Sequence, residues 1–454
     1  MKLLLAVHNY NLMLPLELKK IKENLLNLSK KISKKYSYQF GIGLAEGITV
    51  TSRCGSIESI EHHQDNKLGV QILCENKQGF AGTNDLSNDS IDKTIEKAKN
   101  IATNTQPDIC NGLPDSNFVT SDNMPKVDIH HPSNLDIKEI IDMTHKCEQH
   151  AFDYDKRINN SEGSTFSYGH TNSLILNSKG AYGMIQATNF ILSCIVVAED
   201  GKSKERDYEF STTRDFKKLE SPEKIGTQAA HKTISRLGAR SIKTRVCPVL
   251  FSPEMSVSIF SDFLSSIQGD AIYKRASFLS DQIGKDVFPN FINITEEPHL
   301  PDGMGSSPYD GEGVLTRKKN IVEAGELKSY LLDTYSAKKL NSVSTSNKGL
   351  ITNIIIDSEK EKIPNIISTI EDGIYITEMM GSGVNILTGD YSRGAFGYLI
   401  KDGEIKHPVN EITVASNLKN MFKNIIGLGD DIDRRSIINT GSVLIKDITV
   451  GGAN

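Results

Sequence analysis

The hydrophobic period of this chain changes within its first fifty residues, and the change decides its fold class. Leu18, Ile21, Leu25, Leu28 and Ile32 recur at helical spacing with lysines on the other face, which predicts an amphipathic helix from Leu16 to about Lys35. The period then becomes two. Ile42 and Leu44, Ile48 and Val50, and Leu68, Val70 and Ile72 read as strands separated by glycine turns. The same alternation of helical and strand-like segments recurs downstream, so the expected class is α+β.

Asp89-Ser90 precedes a second helix, with Ile91, Ile95, Ala98 and Ile101 on one face. Residues 112–133 carry several prolines and read as a long connection, and a third helix follows from Asp136 to about Phe152. From Ser173 to Tyr208 the pattern is a β-meander, turned at Ser178-Lys179-Gly180 and Glu199-Asp200-Gly201. Ser221-Pro222-Glu223 opens a further helix that Gly238 closes. The basic, aperiodic stretch from Ala239 to Pro248 is a plausible boundary. A chain of 454 residues exceeds one ordinary core, so an N-terminal α+β domain over 1–238 and a β-rich C-terminal domain over 246–454 are expected. The second begins with a strand (Val246 to Phe251) and a helix near Pro253. Hairpin signals at Ala324-Gly325 and Asp402-Gly403 follow, with short strands over 354–356, 374–377, 396–400 and 443–449.

A net charge of -5 gives no basis for nucleic-acid binding. No stretch approaches eighteen apolar residues, and the apolar start Met1 to Val7 is too short for a signal peptide, so a soluble cytoplasmic protein without membrane contact is expected. The six scattered cysteines contain no C-x-x-C pair and read as free thiols.

The chemistry is defined first by what is missing. Not one histidine is followed by glutamate, so no zinc-protease helix of the ordinary kind is present. Zinc needs three or four ligands within about 2.0–2.3 Å of one point. His145 and His150 share the third helix, but five residues turn it by about 140°, and the rings diverge. His62-His63 alternate across a strand, and His130-His131 precede a proline in a loop. A surface role is the simpler reading of each pair. There is no G-x-S-x-G elbow and no Walker-type loop. Cys54 stands beside Arg53 without an identifiable histidine partner. The densest unusual segment runs from Gly381 through Gly389-Asp390-Tyr391-Ser392-Arg393-Gly394 to Gly397. Its glycines allow close backbone approach. Arg393 either holds a substrate carboxylate or a partner's acidic side chain, or simply pairs with Asp390 in a turn.

Several ordered motifs carry a resemblance. Arg53-x-Gly55-x-x-Glu58, Gly79-Phe80-Ala81, Asn160-Ser161-Glu162-Gly163 and Glu205-Arg206-Asp207-Tyr208 occur in the first half. Gly269-Asp270-Ala271-x-Tyr273, Ser329-Tyr330-Leu331-Leu332, Thr388-Gly389-Asp390-Tyr391-Ser392-Arg393-Gly394 and Pro408-Val409-x-Glu411-Ile412-Thr413 follow in the second. Nearly the whole chain resembles the PmbA/TldD family, and within it the PmbA (TldE) type of subunit. The resemblance implies a two-domain chain that pairs with a TldD-like paralogue into a cytoplasmic metalloprotease. Such complexes act on unfolded or small peptides, including maturation of a peptide antibiotic and removal of a labile antitoxin. In the TldD type a helix reads H-E-x-x-x-H and carries the metal. Aligned on Gly269-Asp270, the corresponding residues here are Phe260, Ser261 and Ser265, none able to replace histidine or a glutamate base. The resemblance therefore implies no catalytic and no metal residue in this chain, zinc in the TldD-like partner, and a heterodimer. Gly389, Asp390, Arg393 and Gly394 are the candidate contact with partner or peptide. The alternatives are a non-enzymatic binding protein that modulates a regulator, or an independent peptidase with an atypical metal site built from His62, His63 and a carboxylate.

Overall fold

The structure is a computed structural model and describes residues 19–30, 32–115, 117–357 and 360–452. The apolar start at Met1 to Val7 and the first turn expected of the opening helix lie outside the described residues. The chain folds into two compact units that are not uninterrupted stretches. Unit 1 comprises Met1–Ile234, His299–Thr316 and Ser346–Leu350; unit 2 comprises Ser235–Pro298, Arg317–Thr345 and Ile351–Asn454.

In unit 1, helix α1 (19–29) precedes β1 (Ser37–Arg53), β2 (Ser56–Cys74), β3 (Lys77–Thr83), α2 (Asn88–Asn104), α3 (Ile137–Tyr154), β4 (Ile158–Asn177), β5 (Tyr182–Glu199), β6 (Lys204–Thr213) and α4 (Pro222–Arg236). The strands form one antiparallel sheet in the order β3-β2-β1-β4-β5-β6. Here the glycine-turn reading is corrected: Gly41, Gly43 and Gly47 lie inside a single 17-residue strand. At Gly47 a Cβ would stand 2.5 Å from the carbonyl oxygen of Tyr168. That glycine lets two paired backbones approach and does not reverse the chain. The meander also starts earlier than expected, because β4 begins at Ile158 with a run of Ser, Thr, Asn and Gly lacking apolar alternation.

Ser87, two residues before the expected Asp89, accepts from the Ser90 N–H and caps α2. Ile91, Ile95 and Ala98 of α2 pack with Leu25, Leu28, Phe40, Leu68 and Val70 into one core. α3 has a complete capping box from Asp136 and Glu139. Its buried Glu148 accepts from the N–H groups of Cys54 and Gly55, both at 2.9 Å. Those residues are the two-residue loop between β1 and β2, at φ 49 and 73. The later segments of unit 1 lace onto its earlier residues. Val119 N–H donates to Gly313 O at 2.7 Å, Leu315 N–H donates to Asn117 O at 2.8 Å, and the Asp310 carboxylate accepts from the Glu312, Val314 and Lys348 N–H groups.

Unit 2 runs β7 (Arg245–Phe251), α5 (Pro253–Ser266), α6 (Gly269–Tyr273), β8 (Asn293–Glu297), β9 (Lys319–Glu323), β10 (Glu326–Leu327), α7 (Thr334–Lys339), β11 (Asn353–Asp357), β12 (Lys360–Glu361), α8 (Ile363–Ser368), β13 (Asp372–Met380), β14 (Asp390–Lys401), β15 (Glu404–Asn417), α9 (Leu418–Lys423), β16 (Ile425–Gly429), β17 (Ile438–Asn439) and β18 (Val443–Gly451). Both expected hairpins occur, at Ala324-Gly325 (φ 48 and 81) and Asp402-Gly403 (φ 52 and 73). Five strands form a sheet ordered β10-β9-β8-β11-β17. The other sheet runs β12-β16-β18-β15-β14-β13-β7, and β18 also pairs with β7. Strands β7, β13, β14, β15 and β18 thus close into a ring, which removes open edges there. Helix α5 lays Ile259, Phe260, Phe263, Leu264 and Ile267 into the core of this unit.

Candidate functional site

Helix α5 begins with Pro253 behind Ser252 and shows two stripes. Positions 256, 259, 260, 263, 264 and 267 are buried and mostly apolar. Ser258, Ser261, Asp262 and Ser265 recur at three- and four-residue spacing on the other side, and Ser261 and Ser265 are exposed. The three positions aligned with a metal motif therefore do not converge. Phe260 is fully buried, with its ring 6.1 Å from that of Phe288, while Ser261 and Ser265 face outward. A hydrocarbon ring and two hydroxyls do not fit the ligand set of zinc. Among the described residues, no three His, Cys, Asp or Glu side chains are grouped to hold a metal ion.

The outward stripe meets Arg393. This residue lies on β14, paired with Val414 of β15, and its Nη1 donates to Ser258 Oγ at 2.7 Å. The expected turn pair with Asp390 does not form. Asp390 instead accepts from Thr388 Oγ1 at 2.7 Å and Asn417 Nδ2 at 3.2 Å, which hold its carboxyl below the ordinary range. Three positions apart on one strand, the two side chains point to opposite faces of the sheet, and Asp390 is satisfied within its own turn. Gly389, at φ 85, tightens that turn, where a Cβ would come 2.9 Å from Asn417 Oδ1. A Cβ at Gly394 would meet only ordinary contacts, at 3.6 Å and beyond, with Met380.

So of the candidate residues, Arg393, Ser261 and Ser265 share one neighbourhood, while Gly389 and Asp390 build the turn that starts β14. Sequence reading missed Asp262. Burial pushes its carboxyl up to about 6, with the Arg393 guanidinium opposing that rise. Asp262 Oδ2 and Arg393 Nε are both buried without a hydrogen-bond partner. The polar stripe opposite the apolar one was the available signal. The adjacent Tyr391 is buried, donates to the Met379 sulfur at 2.8 Å, and has its phenol pushed up to about 12, chiefly by burial.

The candidate histidine pairs lie in unit 1. His62 and His63 occupy adjacent, exposed positions of β2, with His63 Nε2 3.1 Å from Thr49 Oγ1. His145 has a buried Nε2 without a hydrogen-bond partner. His130 and His131 are more enclosed than a surface loop implies. His130 Nε2 sits 3.0 Å from His170 Nε2, and His131 Nε2 lies 2.9 Å from Asp302 Oδ1. Cys54 is exposed at the β1–β2 loop, and the cation beside it is engaged, since Arg53 Nε donates to Ser161 O at 2.9 Å.

Three regions of the chain match the domains of PmbA/TldA metallopeptidases: domain 1 over residues 45–102, the central domain over 130–237 and the C-terminal domain over 244–452. Metalloprotease PmbA of Escherichia coli O157:H7 is 37% identical over 414 residues, covering 91% of this chain and 92% of that protein. The chain belongs to the PmbA/TldD family. A TldD homologue of Buchnera aphidicola from Acyrthosiphon pisum, also named a metalloprotease, is 23% identical over 87% of this chain and 88% of its own. A Bacteroides thetaiotaomicron protein named as a candidate modulator of DNA gyrase shares the PmbA/TldD fold, with TM-score 0.89, 22% identity and coverage of 96% and 99%. The expected family and α+β class are thereby established. No helix among the described residues is long and apolar enough to cross a membrane.

Proposed function

We propose that this chain is a metal-free subunit of a cytoplasmic PmbA/TldD-type metalloprotease that cleaves unfolded or small peptides with a TldD-like partner. The observation that carries the reading is the state of α5. Where the metal-bearing relatives have H-E-x-x-x-H, this helix places Phe260 in its own core and leaves two serines outside. In this reading the partner supplies zinc and hydrolysis, while this chain completes the enclosure and helps hold peptide. Its own residues neither polarise a carbonyl nor generate a nucleophile.

The test is co-expression with the TldD-like paralogue, followed by zinc content and peptide cleavage for each chain and for the pair. Cleavage that needs both chains, with zinc only in the partner, is the expected result. Full activity of this chain alone sinks the reading.

A further inference from the structure

Strand β2 is covered unevenly by its two neighbours. β1 pairs with it from Ser56 to Leu73, whereas β3 pairs only with Leu68 to Cys74. The register passes from Thr51↔Ser59 to Ser52↔Ile57, which leaves Glu58 as the extra residue of a bulge. Between that bulge and the end of β3, the outer edge of Ser59–Lys67 has no backbone partner among the described residues. Along an antiparallel strand every second residue turns its N–H and C=O away from its partner. The edge is therefore a row of unpaired donors and acceptors in line with β3. Residues 60–65 are all exposed, so both faces of the strand are open there as well.

The side chains decide what fits this edge. Glu61, His63, Asp65 and Lys67 share one face, opposite Thr49, Gly47, Ala45 and Gly43 of β1. That neighbouring row is short and uncharged. Glu61 has only His63, at 4.0 Å, and among the described residues neither Glu61 nor Asp65 has a lysine or arginine within ion-pair distance. A second copy of the chain is a poor occupant. Centred on His63, antiparallel self-pairing over Ser59–Lys67 sets Glu61 opposite Asp65 twice, and like charges directly opposite are destabilising. A strand with cations four residues apart makes both contacts favourable. Main-chain pairing then supplies affinity for any extended segment, and the two carboxylates supply the preference.

Within the reading of a peptide-handling subunit, we propose that the Ser59–Lys67 edge of β2 is a docking slot for an extended cationic peptide. The peptide adds as a strand in line with β3 and sets Lys or Arg opposite Glu61 and Asp65.

The experiment uses the full chain and a fluorescein-labelled peptide, Thr-Lys-Thr-Val-Thr-Lys-Thr, blocked at both ends. Fluorescence anisotropy should show binding, and amide hydrogen exchange within 59–67 should slow when the peptide is added. The same peptide with Glu for both Lys should bind more weakly, by roughly twofold to thirtyfold, the range of two opposite-charge cross-strand pairs. Glu61→Lys combined with Asp65→Lys, both at exposed positions that leave the fold intact, should reverse the order of the two peptides. N-methylation at every second amide, made in both phases, should abolish binding in at least one phase, because one set of N–H groups faces the edge. The proposal is wrong if neither peptide binds, if both methylated phases bind as the parent does, or if the double variant keeps the original order. Displacement of the peptide by the TldD-like partner also overturns it, since the edge would then be the partner's seat. These outcomes stand apart from the subunit reading, which fails only if the partner cleaves peptide equally well without this chain.

Discussion

Replacing Phe260 with histidine tests whether the motif position in this chain is a vacant ligand site or a core position. Phe260 is fully buried, and its ring lies among the aromatic side chains that include Phe288 and Phe263. Complete burial of a phenylalanine side chain is worth about 1.5–3 kcal/mol, part of which an imidazole forfeits. Burying an unpaired imidazole nitrogen adds about 1–3 kcal/mol. The sum predicts a loss of about 2–5 kcal/mol for Phe260→His. The triple variant Phe260→His, Ser261→Glu, Ser265→His should be no better, because the imidazole at 265 starts on the outward face and the one at 260 on the inward face. Equilibrium urea unfolding followed by circular dichroism measures the first quantity, and zinc titration of the folded triple variant measures the second. Wild-type stability together with one zinc per chain would refute the reasoning, since it would mean that the two positions do converge.

Other perturbations follow from the same geometry. Glu148→Gln replaces one of two acceptors holding the Cys54-Gly55 loop with a donor and should cost about 1–3 kcal/mol in urea unfolding, while Glu148→Asp should recover little because the carboxylate no longer reaches. Gly47→Ala sets a methyl 2.5 Å from the Tyr168 carbonyl and should lower stability by about 1–3 kcal/mol, which a thermal melt will register. His130 is held down to about 4 by burial and by His170 and His131; Glu46 also faces His170, at 3.6 Å. The unfolded chain therefore binds a proton between about pH 6.5 and 4 that the folded chain refuses, so stability falls as pH drops through that window. With the ring partly open to solvent the loss is about 1–2 kcal/mol, and His130→Asn should flatten the pH dependence of Tm between 4 and 6.5.

The elements with a strong period were legible from the residues alone. α2, α3 and α4 have apolar stripes and capping chemistry, and the Asp402-Gly403 and Ala324-Gly325 turns announce themselves by positive-φ residue types. Glycine was the ambiguous letter. Gly55 and Gly389 are needed for positive φ, whereas Gly47 is needed because another backbone passes close, and composition does not separate these demands. Strand β4 lacked a signal at its start because its polar residues are buried between neighbouring strands with their hydroxyls satisfied there, as Ser164 Oγ is by Ser193 O at 3.0 Å. At the candidate site, Arg393 stood out by its glycine setting, but its partner did not. Ser258 and Asp262 lie more than a hundred residues away, and only the fold brings β14 to α5.

The interrupted make-up of unit 1 has a consequence for how the protein is born. Residues 19–234 emerge first from the ribosome and hold most of that unit's sheet, yet the Val119 N–H and the Asn117 carbonyl lack their backbone partners until 313–315 have been made, and Asp310 awaits Lys348. During synthesis of more than a hundred intervening residues, the first unit must persist with a gap in its hydrogen bonding while much of the second is being added. Chain elongation past Leu350, and not release of any earlier segment, is the event that lets the first unit lock.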